Sequence, residues 1–402
     1  MEMSQAPITN LSPSQYNLRA VRLEDGPAIV QLLNQVFGHW GSLEDWRWKY
    51  VLPPTSTHLE SYLAEFQGRI IGHYGILPLD ALWEGKPEPA AQAVDAGVLP
   101  DYRRSGVFTN LALLTLRQAA QNGVRLIYAF PGLRSLSANQ RFGFRAVTFV
   151  PEMMRVVNFP RALNLMIKSL PEDLLALSAI RRPQGKTPEA IYRLVRLRRM
   201  GYLLASMITA PRLPSLLKPL RKEVILSQTD HFDHRIDAFW TKFAESNPFG
   251  LVKDSCYLNW RYCDHPSVTY HITLAEYQGQ IVGCLVIRHK GLRSEIAELM
   301  AHPKYPKIQM LLLEAAIQQA RGSGDILLSA WANAQHSGFS ALRQAGFSTP
   351  TNLFKLAESV PALSRQLYQV IAFTEHLTQD QQNYLRCQMK NTSFSLGDSD
   401  LV

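Results

Sequence analysis

Cysteine is scarce: four in 402 residues, none before Cys256 and none in a Cys-x-x-Cys pair. That argues against a zinc ribbon and against a disulfide framework, and it fits reduced thiols in a cytoplasmic protein. Long apolar runs are missing too. Nothing approaches the ~20 consecutive apolar residues of a membrane span. The most apolar stretch, Gly201 to Leu217, is interrupted by Pro211, Arg212 and Pro214. The opening residues MEMSQAPITNLSPSQ are polar and hold no apolar h-region, so no secretory signal is expected. What is present is ordinary: 46% hydrophobic, 10% aromatic and 19% charged residues. This excludes wholesale disorder and leaves enough chain for two cores.

The net charge of +9 is concentrated. Between Arg155 and Glu223 stand 14 Arg and Lys against 4 Asp and Glu, so this one segment carries the whole excess. It is rich in Leu and Arg and reads as several short helices broken by Pro171, Pro183, Pro188, Pro211 and Pro214. Arg193, Arg196, Arg198 and Arg199 alternate there with Leu194, Val195 and Leu197. A solvated helix face is the plainest reading of 193–199. A peripheral contact with an anionic membrane comes second, and nucleic acid last, because no nucleic-acid fold signature accompanies the charge.

An internal repeat organises the rest. Trp48-Lys49-Tyr50 recurs as Trp260-Arg261-Tyr262. AEFQGRIIG, from Ala64 to Gly72, recurs as AEYQGQIVG, from Ala275 to Gly283. Asp95 to Pro100 is echoed by Glu298 to Pro303, and Gly143-Phe144 by Gly346-Phe347. The same order at near-equal spacing predicts two copies of one α/β fold. The expected division is a first copy at 16–155, a basic helical connection at 156–224, a second copy at 225–355, and a C-terminal helix and tail at 356–402. Within each copy a Gln-Gly hairpin leads to a strand ended by proline, then helix, strand and short helix. Phe108 to Asn122 reads as a helix, Arg125 to Phe130 as a buried strand and Ser135 to Phe142 as a short helix. The tail is expected to hold a helix from Val360 to Leu377.

The stretch VLPDYRRSGVFTNLALLTL is the most informative. A strand ends at Pro100, a basic turn follows, and a helix opens near Val107. Unpaired amides and the dipole at a helix start favour an anion there. In this order of elements the first half resembles the GNAT superfamily, the Gcn5-related N-acyltransferases. The family's Arg/Gln-x-x-Gly-x-Gly/Ala loop, which cradles the pyrophosphate of acyl-CoA, is matched by Arg103, Arg104, Ser105, Gly106, Val107 and Phe108. The last position departs from the pattern. The resemblance implies two mixed β-sheet domains flanked by helices, with acetyl-CoA as co-substrate and no metal. It places Val98, at the strand end, and the loop against the cofactor. The second half has lost the loop: Lys304, Tyr305, Pro306 and Lys307 follow Pro303. A structural partner, or one wall of the acceptor site, is the expectation for it.

The chemistry implied is direct acyl transfer to a primary amine of a small molecule or amino sugar. Asp95, on the strand before the loop, is the first candidate base, and His73 on the adjacent strand is the second. Where the family usually places an acid Tyr, this chain has Asn139, which could bond the amide-rich pantetheine arm. Trp46, Trp48 and Tyr74 are candidates to line the acceptor, with core packing the competing reading for the tryptophans. Two other functions stay open: a non-catalytic binding scaffold, and a Fem-type transferase using aminoacyl-tRNA.

Overall fold

The computed structural model describes residues 15–55, 61–131, 136–168, 220–333, 338–349, 367–391 and 395–399. The basic stretch 193–199 and the expected start of the tail helix lie outside them.

The first half runs β1 (Asn17–Ala20), α1 (Gly26–Phe37), α2 (Leu43–Tyr50), β2 (Tyr62–Phe66), β3 (Arg69–Trp83), β4 (Lys86–Val98), α3 (Val107–Gln121), β5 (Leu126–Ala129), α4 (Leu136–Arg141) and β6 (Phe144–Val156). After α5 (Phe159–Lys168) the second half begins. It runs β7 (Val224–Thr229), α6 (Arg235–Glu245), β8 (Gly250–Leu251), α7 (Ser255–Leu258), β9 (Tyr270–Tyr277), β10 (Gln280–Lys290), β11 (Arg293–Ala301), α8 (Lys307–Gly322), β12 (Leu327–Trp331) and α9 (Phe339–Gln344). Then follow β13 (Leu367–Phe373) and α10 (Gln379–Asn391).

Local chemistry explains these elements. Ser42 caps α2, its hydroxyl accepting from the Asp45 amide at 3.2 Å while the Asp45 carboxylate takes the Ser42 amide at 2.7 Å. In α3, Val107, Leu111, Ala112, Thr115, Leu116 and Ala119 recur at helical spacing and are buried. Both Gln-Gly hairpins need positive φ at two successive residues: 49° and 75° at Gln67-Gly68, 50° and 76° at Gln278-Gly279.

Two mixed sheets flanked by helices result, joined edge to edge in the order β1-β2-β3-β4-β5-β13-β6-β12-β11-β10-β9-β7. The order is nearly palindromic about β13 and β6. On one side β4 runs parallel to β5, and on the other β11 runs parallel to β12. The long β6 belongs to both sides: Phe144 to Pro151 pair with β13, and Glu152 to Val156 with β12.

Boundaries in space thus differ from those expected along the chain. Residues 367–373, expected to be helical, form a strand wedged antiparallel between β5 and β6. Their Leu, Val, Ile and Phe match helical spacing, but the slot between two strands whose edges would otherwise be open decides the outcome. The helix of the tail is α10, further on.

The halves meet through matching residues. Trp48 and Trp260 stack 4.9 Å apart at 12°. The Trp48 indole N–H donates to the Trp260 carbonyl at 2.7 Å, and the Trp260 indole N–H to the Trp48 carbonyl at 2.9 Å. Such reciprocity is the mark of a two-fold contact. It leaves both indoles buried with their polar atoms satisfied.

Candidate active site

Strand β4 carries a bulge. His73 pairs with Gly97 and Gly75 with Val94, so Asp95 and Ala96 together oppose Tyr74. Asp95 takes φ +47°, a left-handed conformation rare outside glycine. The bulge aims its carboxylate at α2 and the turn that precedes it.

Three donors meet it there. The Trp40 indole N–H donates to Oδ1 at 2.8 Å, the Tyr50 hydroxyl to Oδ2 at 2.6 Å, and Lys49 Nζ lies 2.9 Å from Oδ2. Burial would raise the carboxyl's pKa. The Lys49 charge and the three donors outweigh burial and hold it below the usual carboxylate range.

His73 is wholly buried on the same face. Its Nδ1 lies 3.0 Å from the Asp95 carbonyl oxygen, so Nδ1 carries the proton and Nε2 keeps the lone pair. Among the described residues Nε2 has no partner. Burial pulls the imidazole's pKa down, so it is neutral at pH 7.

The second half repeats part of this device. Tyr262, the counterpart of Tyr50, donates to Glu298 at 2.8 Å, and Lys253 stands 2.9 Å from the same carboxylate. Here burial wins, and Glu298 is lifted above the usual carboxylate range.

The β4–β5 ladder covers Ala90–Leu126, Ala91–Ile127 and Gln92–Tyr128, and goes no further. Beyond it β4 runs on to Val98, so the two strands part. Arg103 and Arg104 then lie exposed in the turn that ends in Gly106, at φ +79°. A Cβ on Gly106 would meet nothing within 4 Å, so the start of α3 faces open space. No side chain caps that helix. The Ser105 hydroxyl is turned away onto the Tyr102 carbonyl, 2.6 Å off. The opening amides of α3, at Val107 and Phe108, therefore have no intrahelical acceptor.

The remaining expected residues fall as follows. Asn139 is buried in α4. Trp46 and Trp48 are 3% and 5% exposed, and Tyr74 is 1% exposed with its ring 6.1 Å from Phe108. These three pack into the cores, leaving no open aromatic face for an acceptor. The sequence reading missed Trp40, Lys49 and Tyr50 as partners of Asp95. The signal was there, because Tyr50 and Tyr262 recur in step with Asp95 and Glu298. Among the described residues no group of three or more His, Cys, Asp or Glu could hold a metal, and no helix is long and apolar enough to cross a membrane.

Comparison with known proteins bears on the first half directly. Residues 17–147, about a third of the chain, match the family model described as an acetyltransferase (GNAT) domain. An uncharacterized N-acetyltransferase of Escherichia coli K12, YjgM, is 26% identical over 129 residues, covering 30% of this chain and 75% of that one. The fold of nearly the whole chain recurs in a probable N-acyltransferase from Enterococcus faecalis V583 (TM-score 0.56, 12% identity, 89% of this chain and 72% of that one). It recurs also in Saccharomyces cerevisiae N-myristoyltransferase with bound myristoyl-CoA (TM-score 0.52, 11% identity, 91% and 80%).

Proposed function

From the premise that residues 17–147 form a GNAT acetyltransferase domain, we propose that the protein transfers an acyl group, most simply acetyl, from acyl-CoA to a primary amine of a small molecule. The observation that carries this is the end of β4. A strand parting from its neighbour leads through a basic turn into an uncapped helix facing open space.

Each part suits one part of the donor. The amides opening α3, with Arg103 and Arg104 beside them, would hold the pyrophosphate. The freed edge of β4 toward Val98 would pair with the amides of the pantetheine arm, and Asn139 would bond the same arm.

The amine nitrogen attacks the thioester carbonyl, the carbon–sulfur bond breaks, and the thiolate leaves and is protonated. With Asn139 in place of the family's tyrosine, that proton comes from water. Of the two candidate bases, His73 suits the amine's proton better. Its Nε2 lone pair is uncommitted, whereas the Asp95 carboxylate is held by three donors and a depressed pKa. Asp95 then acts as a positioning residue, tying α2 to the bulge and fixing the His73 tautomer through its carbonyl.

The second half, in this reading, is a degenerate copy. The matched hairpin turns, the reciprocal tryptophans and the paired Tyr–carboxylate contacts support the kinship. Pro306 and the missing Arg-x-x-Gly support the loss of the cofactor loop.

The test is calorimetric titration of acetyl-CoA into the full chain, beside Gly106→Trp and Arg103→Ala/Arg104→Ala. One site per chain, weakened at least tenfold in both variants, is expected. Absence of binding up to about 1 mM, where donors of this kind should register, would sink the proposal. Binding without turnover on any amine would favour the non-catalytic scaffold.

A further inference from the structure

One face of the first-half sheet is closed by helices. Leu32 of α1 and Leu111 and Leu116 of α3 share a core with Ile71, Ile76 and Ile127. The other face looks toward the second half, where Leu77, Leu79 and Tyr128 share a core with Phe243, Phe249 and Met300. Leu77 and Leu79 alternate along β3 in step with Gly75 and His73, so this is the His73 face. An acceptor bound for His73 has to come in between the halves.

That way is occupied by the chain itself. Residues 395–399 lie there against β11, wound into one tight turn at Leu396–Asp398. Ser395, Leu396, Asp398 and Ser399 are all under 10% exposed. With the turn seated, the cleft keeps about 50 Å³ of free space, enough for a few waters.

Both halves hold the turn. From the first, the Tyr128 hydroxyl donates to the Asp398 carbonyl at 3.1 Å. Tyr128 belongs to the last pair before β4 and β5 separate, so the turn reaches the place where the donor's arm would enter. From the second, Lys253 Nζ lies 2.7 Å from the Asp398 carboxylate and 3.2 Å from the Ser395 hydroxyl, and Arg261 donates to the Ser399 carbonyl. The charges of the cleft are met within the chain, since Lys253 also pairs with Glu298 at 2.9 Å and Tyr262 donates to Glu298 at 2.8 Å. The Asp398 carboxylate accepts from the Ser395 amide at 2.7 Å and so closes the turn on itself.

This hold is mostly polar. Leu396 is the one large apolar side chain in 395–399, so lifting the turn exposes little apolar surface and returns its polar groups to water. A segment held in this way opens at far lower cost than the sheet beneath it.

We propose that residues 395–399 are a displaceable plug: seated, they close the acceptor's approach to the His73 face, and their release opens it. The gating role rests on the acyltransferase reading. The opening of the turn does not, because it needs no donor.

Two variants of the full chain test this. Asp398→Asn keeps the side chain's shape but gives up the charge that pairs with Lys253, and Leu396→Ala weakens the apolar hold independently. Opening is read by amide hydrogen exchange without CoA. The Asp398 and Ser399 amides, bonded to the Ser395 and Leu396 carbonyls, should exchange at least tenfold faster than those of β11. In either variant they should exchange at least tenfold faster again, with β11 unchanged. Exchange as slow as that of β11 in the wild-type chain would make the segment a fixed wall and overturn the proposal. Closure is read with water as the acceptor. Water adds to the thioester carbonyl of acetyl-CoA, the carbon–sulfur bond breaks, and acetate and the free thiol of CoA are released. Thiol release should quicken at least fivefold in both variants, with the calorimetric affinity for acetyl-CoA within twofold of wild type. Release that is unchanged or slowed, in variants whose exchange shows the turn open, would overturn the gating. If no chain binds acetyl-CoA, the gating role falls together with the acyltransferase reading, and hydrogen exchange alone decides whether the turn opens.

Discussion

Gly75 is the most exacting position around Asp95. It sits in β3 opposite Val94, and its φ lies outside the left-handed range, so alanine can adopt the backbone without strain. Space is the obstacle. A Cβ there would fall well inside contact with the Tyr50 hydroxyl and 2.8 Å from the Val94 carbonyl oxygen. The Tyr50 ring is confined by neighbours, Trp46 at 6.1 Å and His73 at 5.8 Å. Gly75→Ala must therefore push the hydroxyl off Asp95. Losing a hydrogen bond to a charged group costs about 1.5–3 kcal/mol. Overpacking adds about 1–3 kcal/mol, so a loss of about 2.5–6 kcal/mol in urea unfolding is expected. Tyr50→Phe removes the atom that clashes, so the double variant should cost at least ~1 kcal/mol less than the two singles added. Gly72→Ala is the control. Its nearest neighbour is the end of the Leu111 side chain at 3.0 Å, which can move, and less than ~1.5 kcal/mol is expected. A Gly75→Ala loss below ~1 kcal/mol, or strict additivity with Tyr50→Phe, would refute the packing argument.

Other outcomes follow from the same contacts. Trp48→Ala should destabilise the chain by about 3–5 kcal/mol, and the Trp48→Ala/Trp260→Ala pair should fall well short of additivity in urea unfolding. His265 packs 4.1 Å from the Trp48 ring, and burial, joined by the Arg261 charge, pushes its pKa down to about 4 from 6.5. Its folded pKa is depressed, so the unfolded chain binds more protons between those values. Stability should rise with pH from about 4 to 6.5, by up to ~2 kcal/mol after allowing for its partial exposure. His265→Gln should flatten that limb of the pH–stability curve. Asp95, also depressed, contributes stability that is present above the ordinary carboxylate pKa and lost as pH falls through its folded value. Asp95→Asn should therefore lose stability at pH 7 and show a shallower acid limb. In steady-state assays with acetyl-CoA and an amine, His73→Asn should lower kcat at least 100-fold with the donor affinity unchanged.

Much of the first half was legible because its signals are local. Two successive positive-φ residues announce a hairpin, the basic turn announces the start of α3, and proline marks the end of β4. The repeat was legible because identity recurs at the positions that touch: Trp48 with Trp260, Tyr50 with Tyr262, Asp95 with Glu298. Contacts set by distant pairing were not legible. Nothing in the alternation of 367–373 states that its neighbours are 127–129 and 144–151. The β3–β4 hairpin extends to Trp83 and Lys86, well past the segment whose alternation was read, because β8 and α10 pack on its tip: Ala81 and Leu82 pair with β8, and the Glu84 amide donates to the Tyr384 hydroxyl at 3.0 Å. The burial of Lys49 against Asp95 depends on the bulge in β4, which no local pattern announces.

The insertion of β13 has a consequence in time. A ribosome adds about 5–20 residues per second, so roughly 10–40 s separate the emergence of β6 from that of residues 367–373. Throughout that interval β5 and the first part of β6 each lack a neighbour, and both bare edges carry large apolar residues, Leu126, Ile127 and Tyr128 on one and Phe144, Val147, Phe149 and Val150 on the other. The amino-terminal lobe is thus made first and finished last. During synthesis its central gap is a docking place for any passing strand, so holding that gap unpaired until the proper one arrives is a task for the cell's chaperones as much as for the fold.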